Sequence, residues 1–392
     1  MIQRRSTRQI HVKDIAIGGT APISIQSMTK TATTDIEATV RQIRALATVG
    51  CEIVRVAVPT IEAAKALPEI RREANKVPLV ADIHFHPQFA IAAIEAGFDK
   101  IRWNPGNIRS SERVRDVVAH AKERGIAIRI GVNVGSLDPE CEAASPGNLV
   151  EAIVQSALKS VRLLEGLRFY DTVISLKSSD VPQMLAAYRR MSQLCDYPLH
   201  LGVTEAGLLE ASTVKSSIGI GALLAEGIGD TIRVSITGDP IDEVKVAQRI
   251  LSSLGLRRFE TNVIACPSCG RCEIDVIGIA KQVQQRLTAL AATEPRALEL
   301  TVAVMGCVVN GPGESEHADV GLAGGGGVGV IYRKGRQIRR VPEAEMVDAL
   351  IREVQYILDE QRSGLRAQGS GLGALGSGQV PPAPSPEPTA TW

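Results

Sequence analysis

The feature that constrains this chain most is a rhythm repeated between residues 23 and 256: a short β-branched run, a polar or glycine-containing end, then a longer amphipathic stretch of Ala, Leu, Glu and Arg. Eight runs read as strands: ISIQSM (23–28), EIVRVAVP (52–59), PLVADIH (78–84), KIRWNPG (100–106), IAIRIGVN (126–133), TVISLKSS (172–179), LHLGVTEAG (199–207) and TIRVSITGDP (231–240). The stretches between them carry helix punctuation. DIEATVRQIRALATVG (35–50) has Asp35 to cap its start and Gly50 its end. PIDEVKVAQRILSSLG (240–255) opens on Pro, places acids in its first turn and ends on Gly. Eight strand–helix units in this length match a TIM barrel, which takes about 250 residues. An open doubly wound sheet is the competing arrangement, but no G-x-G-x-x-G follows the first strand.

After RRFETNVIACPSCG the rhythm changes to a helix (VIGIAKQVQQRLTALAA), a strand (LELTVAVMG), a Gly-rich turn region, a strand pair (VGVIYRKGRQIRRV) and a last helix (EAEMVDALIREVQYILDEQR). The expected organisation is a barrel over 1–258, a smaller α+β domain over 259–362 and a disordered tail over 363–392, whose Gly, Ala, Pro and Ser offer almost nothing to a core. Aromatics are only 3% of residues, so both cores must be built from Ala, Val, Ile and Leu. No run reaches the roughly 18 apolar residues of a membrane span, and MIQRRSTRQIHVKDIAIGG lacks the apolar segment of a secretion signal; a reducing cytoplasm is the expected setting. A formal net charge of +1 argues against binding nucleic acid or a membrane surface through bulk electrostatics. Any anion site must therefore come from local placement of charge.

In a TIM barrel the chemistry sits at the carboxyl ends of the strands. There this sequence places five cations: Arg55, Arg102, Arg129, Lys177 and Arg233. Asp82, His84, Asn104, Asn133, Thr204, Glu205 and Ser235 stand beside them. Guanidinium groups inside strands otherwise made of Val and Ile are costly unless paired or bound to an anion, and two carboxylates, Asp82 and Glu205, do not neutralise five cations. The pattern points to a small, multiply phosphorylated substrate, which Arg grips bidentately. NPGN (104–107) and SSIGIG (216–221) offer backbone N–H groups as further anion donors. The H-x-H of His84 and His86 would suit a metal only with further ligands, and the chain has six histidines in all.

Three of the seven cysteines, Cys266, Cys269 and Cys272, stand three apart in IACPSCGRCEID, and Cys307 follows in VMGCVVNGPGESE. The others are scattered, so this is no disulfide framework. Structural zinc would take a tetrad from Cys266, Cys269, Cys307 and either Cys272 or His317, whereas C-x-x-C-x-x-C with a distant fourth Cys is also the ligand run of a ferredoxin. Spacing alone leaves zinc and iron–sulfur open. A cationic barrel mouth beside a thiolate domain favours redox chemistry on a phosphorylated substrate; a zinc-stapled TIM-barrel lyase or phosphohydrolase is the alternative.

The ordered set QSMT, EIVRVAVP, ADIHF, IRWNPGN, IRIGVN, GVTEAG, KSSIGIG, IRVSIT, CPSCGR and MGCVVNGPGE resembles the 4-hydroxy-3-methylbut-2-enyl diphosphate synthases of the non-mevalonate isoprenoid pathway, from about residue 5 to 360. The resemblance implies a two-domain bacterial form: a TIM barrel binding 2-C-methyl-D-erythritol 2,4-cyclodiphosphate and a ferredoxin-like, sulfite-reductase-type domain with a 4Fe-4S cluster. It implies a homodimer, with the cluster domain of one subunit closing over the barrel of the other, and a flavodoxin or ferredoxin as electron donor. Carried over residue by residue, the cluster ligands are Cys266, Cys269, Cys307 and Glu314, with Cys272 a bystander. The substrate-binding set is Arg55, Arg102, Asn104, Arg129, Asn133, Lys177, Arg233 and Ser235. Glu205, Asp82 and His84 are the candidate catalytic residues, Glu205 foremost as proton donor, with a salt bridge to Arg233 as its plain structural alternative.

Overall fold

The first residues to form regular structure do not belong to the eightfold rhythm. Strands β1 (Ile10–Val12) and β2 (Ile15–Ile17) make a short antiparallel hairpin. The computed structural model describes residues 2–83, 86–103, 111–307, 309 and 311–369, and the chain divides into two units between Phe259 and Glu260.

The first unit is a barrel. Its strands are β3 (Ser24–Met28), β4 (Ile53–Ala57), β5 (Leu79–Ile83), β6 (Lys100–Trp103), β7 (Ala127–Asn133), β8 (Thr172–Lys177), β9 (His200–Leu201) and β10 (Thr231–Ile232). They hydrogen-bond in the order β8-β7-β6-β5-β4-β3-β10-β9, every neighbouring pair parallel. A parallel bridge between Ile174 and Leu199, with Ile174 N–H donating to the Pro198 carbonyl at 3.0 Å, closes the ring. Asp35 caps the helix Ile36–Thr48 by accepting from Ala38 N–H, and Asp239 caps Pro240–Ser253.

Successive side chains alternate between the barrel's inside and its helix-covered outside. Val54, Val56, Ile101, Ile128 and Ile130 belong to the large core under the helices. Ile53, Val80, Ala127 and Val173 instead pack with Ile10, Val12 and Ile17, so the hairpin plugs the amino-terminal end of the barrel. Two residues further along the same strands, on the same inner face, stand Arg55, Asp82 and Arg129. The interior thus passes from a largely apolar layer at the plug, where Lys100 stands in register with Val80 and Ala127, to a charged layer at the mouth.

Two expectations need correction here. The last two barrel strands are each only two residues long. Gly202 explains it: a Cβ there would lie 2.5 Å from the Arg233 carbonyl oxygen and 3.0 Å from Lys177 Nζ, so the chain presses against its neighbours and leaves the regular ladder. Pairing continues through single bonds such as Thr204 N–H to the Ser178 carbonyl. SSIGIG, expected to offer loop N–H donors, lies inside the helix Leu209–Ala225, where those groups belong to the helical ladder. Its Gly219 is instead the contact point for Met184 and Val203. NPGN lies outside the described residues.

The second unit is a mixed sheet in the order β11 (Asn262–Ala265), β12 (Thr301–Met305), β13 (Val320–Gly325), β14 (Val328–Arg333) and β15 (Arg336–Pro342). The first three run parallel and the last two antiparallel. Helices Val276–Thr293 and Met346–Gly369 supply Val283, Leu287, Leu350 and Val354 to a core with Val302, Val304, Leu322 and Ile331. The expected Gly-rich turn region holds the central strand β13. Its glycines make room for close neighbours: Gly321 lies against Ser315 and Gly324 against Ile274, leaving no space for a Cβ at either. The last helix runs on to Gly369, into the stretch expected as tail.

Candidate active site

Inside the barrel, charge is packed at a density that only a closed sheet can enforce. Arg55, Arg102, Arg129 and Lys177 are all buried, Arg129 to 1% exposure. Asp82 serves two of them, with Oδ1 3.3 Å from Arg102 Nη1 and Oδ2 3.8 Å from Arg55 Nε. Arg102 fits because residue 131 is glycine: a Cβ there would lie 2.6 Å from its Nε. Arg129 Nε and Nη1 and Lys177 Nζ find no hydrogen-bond partner among the described residues.

The electrostatics follow from the crowding. Burial is the main cause that lowers the Arg55 pKa to about 10; Asp82 opposes it, and the charges of Arg233 and Arg102 reinforce it. Burial followed by the surrounding cations pushes Arg129 and Lys177 well below their ordinary values. A cavity that destabilises its own positive charges stabilises an incoming anion.

The structure brings most of the expected mouth residues together. Asn133 ends β7 in register with Lys177, and Ser235 is buried with its hydroxyl unpartnered among the described residues. His84 and Asn104 lie outside the described residues. Glu205 is exposed, with backbone φ of +52°, and makes no ion pair among the described residues. The salt bridge to Arg233 given as its alternative is not formed. Arg233 pairs at 3.2 Å with Glu243, whose carboxylate also lies 3.3 Å from Lys30 Nζ and accepts from the Ser27 hydroxyl and Ile236 N–H.

Glu243 was missed because it sits in the first turn of a helix, where an acid is explained by the helix dipole alone. Lys100 and His200 were missed too. Both are fully buried on the inner face, with Lys100 Nζ and both His200 ring nitrogens unpartnered among the described residues. Burial first, then Arg129, lowers the proton affinity of each. The period-two rule signals Lys100, two positions before Arg102.

In the second unit the thiols gather at the carboxyl ends of adjacent parallel strands. Cys266 follows β11 and its N–H donates to the Val304 carbonyl; Cys307, buried, follows β12. Cys269 is exposed, after Ser268 with φ of +64°. Cys272 Sγ lies 3.3 Å from the Ile274 carbonyl, to which it donates, and against Gly306, where a Cβ would leave it no room. Glu314 is exposed in the short helix Gly311–Glu316. Among the described residues no three His, Cys, Asp or Glu side chains form a metal-binding group. The thiols after two neighbouring strands, with the Glu314 carboxylate seven residues after Cys307 in the chain, nevertheless supply the donor chemistry that iron–sulfur ligation requires.

A family model described as the GcpE TIM-barrel domain matches residues 7–248, and one described as the GcpE protein C-terminal domain matches residues 262–356. The chain belongs to the GcpE family. Among its curated relatives, a protein of Geobacter sulfurreducens is 53% identical over 91% of this chain and 99% of its own length. One of Caldanaerobacter subterraneus subsp. tengcongensis is 54% identical with the same coverage, and one of Symbiobacterium thermophilum is 51% identical over 96% of this chain and 99% of its own. All three are named 4-hydroxy-3-methylbut-2-en-1-yl diphosphate synthase (flavodoxin). Among the described residues, no helix is long and apolar enough to cross a membrane.

Proposed function

We propose that this GcpE-family chain is an oxidoreductase, a 4-hydroxy-3-methylbut-2-en-1-yl diphosphate synthase of the non-mevalonate isoprenoid pathway. It opens 2-C-methyl-D-erythritol 2,4-cyclodiphosphate and removes a hydroxyl group. Counting the phosphates in their acid form, two electrons and two protons enter and one water leaves. The carrying observation is the crown of buried cations at the mouth of a barrel that matches its relatives along nearly the full chain.

Arg55, Arg102, Arg129, Lys177 and Arg233 bind the cyclic diphosphate and stabilise the oxygen that departs from carbon. Asp82 holds Arg55 and Arg102 in place, while Glu243 does the same for Arg233. Asn133 and Ser235, with Asn104, orient the substrate through neutral hydrogen bonds. Glu205, past the end of β9 and free of an ion pair among the described residues, donates the proton to the leaving hydroxyl; Asp82 and His84 are further candidate proton donors or orienters.

Cys266, Cys269, Cys307 and Glu314 would hold a 4Fe-4S cluster, which supplies electrons singly and, through an iron without a thiolate, a Lewis acid. Cys272 stays outside the ligand set because its thiol is engaged by the Ile274 carbonyl. A homodimer working in the cytoplasm with flavodoxin or ferredoxin as donor completes the reading.

Anaerobic purification tests it. Brown protein with iron and labile sulfide, turning over the cyclodiphosphate with a reduced dye, is expected. Colourless protein containing zinc would overturn it in favour of a zinc-stapled lyase or phosphohydrolase. Glu205→Gln should lower kcat by about 100-fold with little change in KM; unchanged turnover removes Glu205 as the acid.

A further inference from the structure

One stretch of the second unit plays no part in the site described above, yet it has the sharpest charge bias in the chain. Between Val320 and Pro342 stand Arg333, Lys334, Arg336, Arg339 and Arg340 without a single acid, while in the rest of 260–362 acids outnumber bases by fourteen to six. The stretch covers β13 and the hairpin β14–β15, and β15 is an edge strand of its sheet. Edge strands are commonly blunted with charge to prevent pairing, but that needs no single sign. A one-signed edge on an otherwise acidic unit is a directed electrostatic feature.

The hairpin divides its cations between two sides. Arg333 turns to the helix Met346–Gly369 and pairs with Glu353 and Glu360, and Arg339 donates to the Ala349 carbonyl at 3.3 Å. Lys334 and Arg336 make no ion pair among the described residues, and they are exposed together with Arg340 and Ile338. Arg340 lies near Tyr332: burial raises that phenol's pKa and the Arg340 charge opposes it.

Tyr332 places the Arg340 side of the hairpin on a particular surface, whereas Arg336, in register with Arg333, lies toward the helix side at the end of the hairpin. It packs against Ala303, Met305 and Ala323 on the sheet face away from the two long helices; Cys266, just after β11, touches both this cluster and the helix-side core. The register runs Met305–Ala323–Val330–Arg340 across four neighbouring strands. Three strand spacings amount to about 14 Å. Arg340 therefore stands in one row with the residue two before Cys307, on a face that Cys266 also touches.

We propose that the exposed edge of the β14–β15 hairpin, through Lys334, Arg336 and Arg340 around Ile338, is the docking surface for a small acidic electron-carrier protein of the flavodoxin type. This rests on the redox reading above and adds the place where electrons enter. Charge complementarity steers the carrier onto the edge, and the apolar side chain offers a contact at the centre of the cationic patch. Each encounter passes one electron from the reduced carrier, which leaves oxidised by one electron, so each substrate turned over takes two encounters.

The test uses the intact, cluster-loaded enzyme and a purified bacterial flavodoxin, with a K334E/R336E/R340E variant beside the wild type. The KM for reduced flavodoxin should rise at least about tenfold at low ionic strength, and the salt dependence of kcat/KM should flatten, because charges at the rim of a docking surface act on encounter rates. Turnover with dithionite-reduced methyl viologen, a dye that needs no docking surface, should stay unchanged. R336Q alone should move the flavodoxin KM in the same direction by about threefold. Unchanged flavodoxin kinetics would overturn the proposal, as would an equal loss with flavodoxin and dye. A wild type inactive even with the dye would instead overturn the enzymatic reading, and this proposal with it.

Discussion

The barrel mouth and the thiol end of the second unit hold their functional groups in opposite ways. At the mouth, Arg129 and Lys177 are buried among further cations and pressed from every side by a closed sheet, while the carboxylates Asp82 and Glu243 are paired with Arg102 and Arg233. At the thiol end, Cys269 and Glu314 face solvent, and Cys266 and Cys307 follow the ends of neighbouring strands in an open sheet. The first arrangement stores unfavourable charge that a bound oxyanion would relieve; the second offers donors that would gain their order from what they bind. An anion should therefore stabilise the barrel, and iron and sulfide the second unit.

The largest expected effect lies on the thiol side. Cys307→Ser should lose iron and lower turnover by more than about 100-fold, beyond what outer-shell partners of metal sites usually contribute. Iron analysis and dye-coupled turnover check it, and retained iron would break the contrast between the two ends. At the mouth, Arg129→Met should lower kcat/KM by about 100-fold and abolish the rise in Tm that pyrophosphate gives the wild type. An equal rise in both proteins would mean that the anion binds elsewhere.

The smaller effects sharpen the comparison. The lowered proton affinity of Lys100 means that between its folded pKa and the ordinary lysine value the unfolded chain binds more protons than the folded one. Stability should then increase as pH rises through that window, by up to about 1.4 kcal/mol per pH unit for this one group. Chemical denaturation from pH 7 to 9 should give Lys100→Met a shallower slope and, at pH 7, greater stability than the wild type. A steeper slope would mean that Lys100 has a buried counter-ion. Smallest of all, Cys272→Ser should change iron content and turnover by less than about twofold, because that thiol is already bound to a backbone carbonyl.

Some of this was open to view in the chain and some was not. The eightfold rhythm is local, each strand and helix announcing itself by its own period and caps, so the barrel was legible. So were Arg55, Arg102, Arg129 and Lys177, because a cation in a β-branched run is anomalous wherever the run ends up. VGLAGG (320–325) was hidden because glycine in isolation signals a turn; its strand exists because Ser315 and Ile274 press against it from distant positions. Glu243 was hidden for a related reason, since its helix-start position explains it before its ion pairs with Arg233 and Lys30 can be seen.

By itself, the sequence determined the element types, the order of the two units and the identity of most residues with chemistry to offer, because periodicity, capping and side-chain type act over a few neighbours. Only the tertiary structure decided which carboxylate answers which cation and that Cys272 is turned onto Ile274. It also decided that Lys100 and His200 lie without partners among the described residues of the barrel interior, and that Arg340 of the β14–β15 hairpin stands in one row with Met305, two residues before Cys307. Those are relations between residues far apart in the chain, fixed by closure of the barrel and by strand register, and no local pattern carries them.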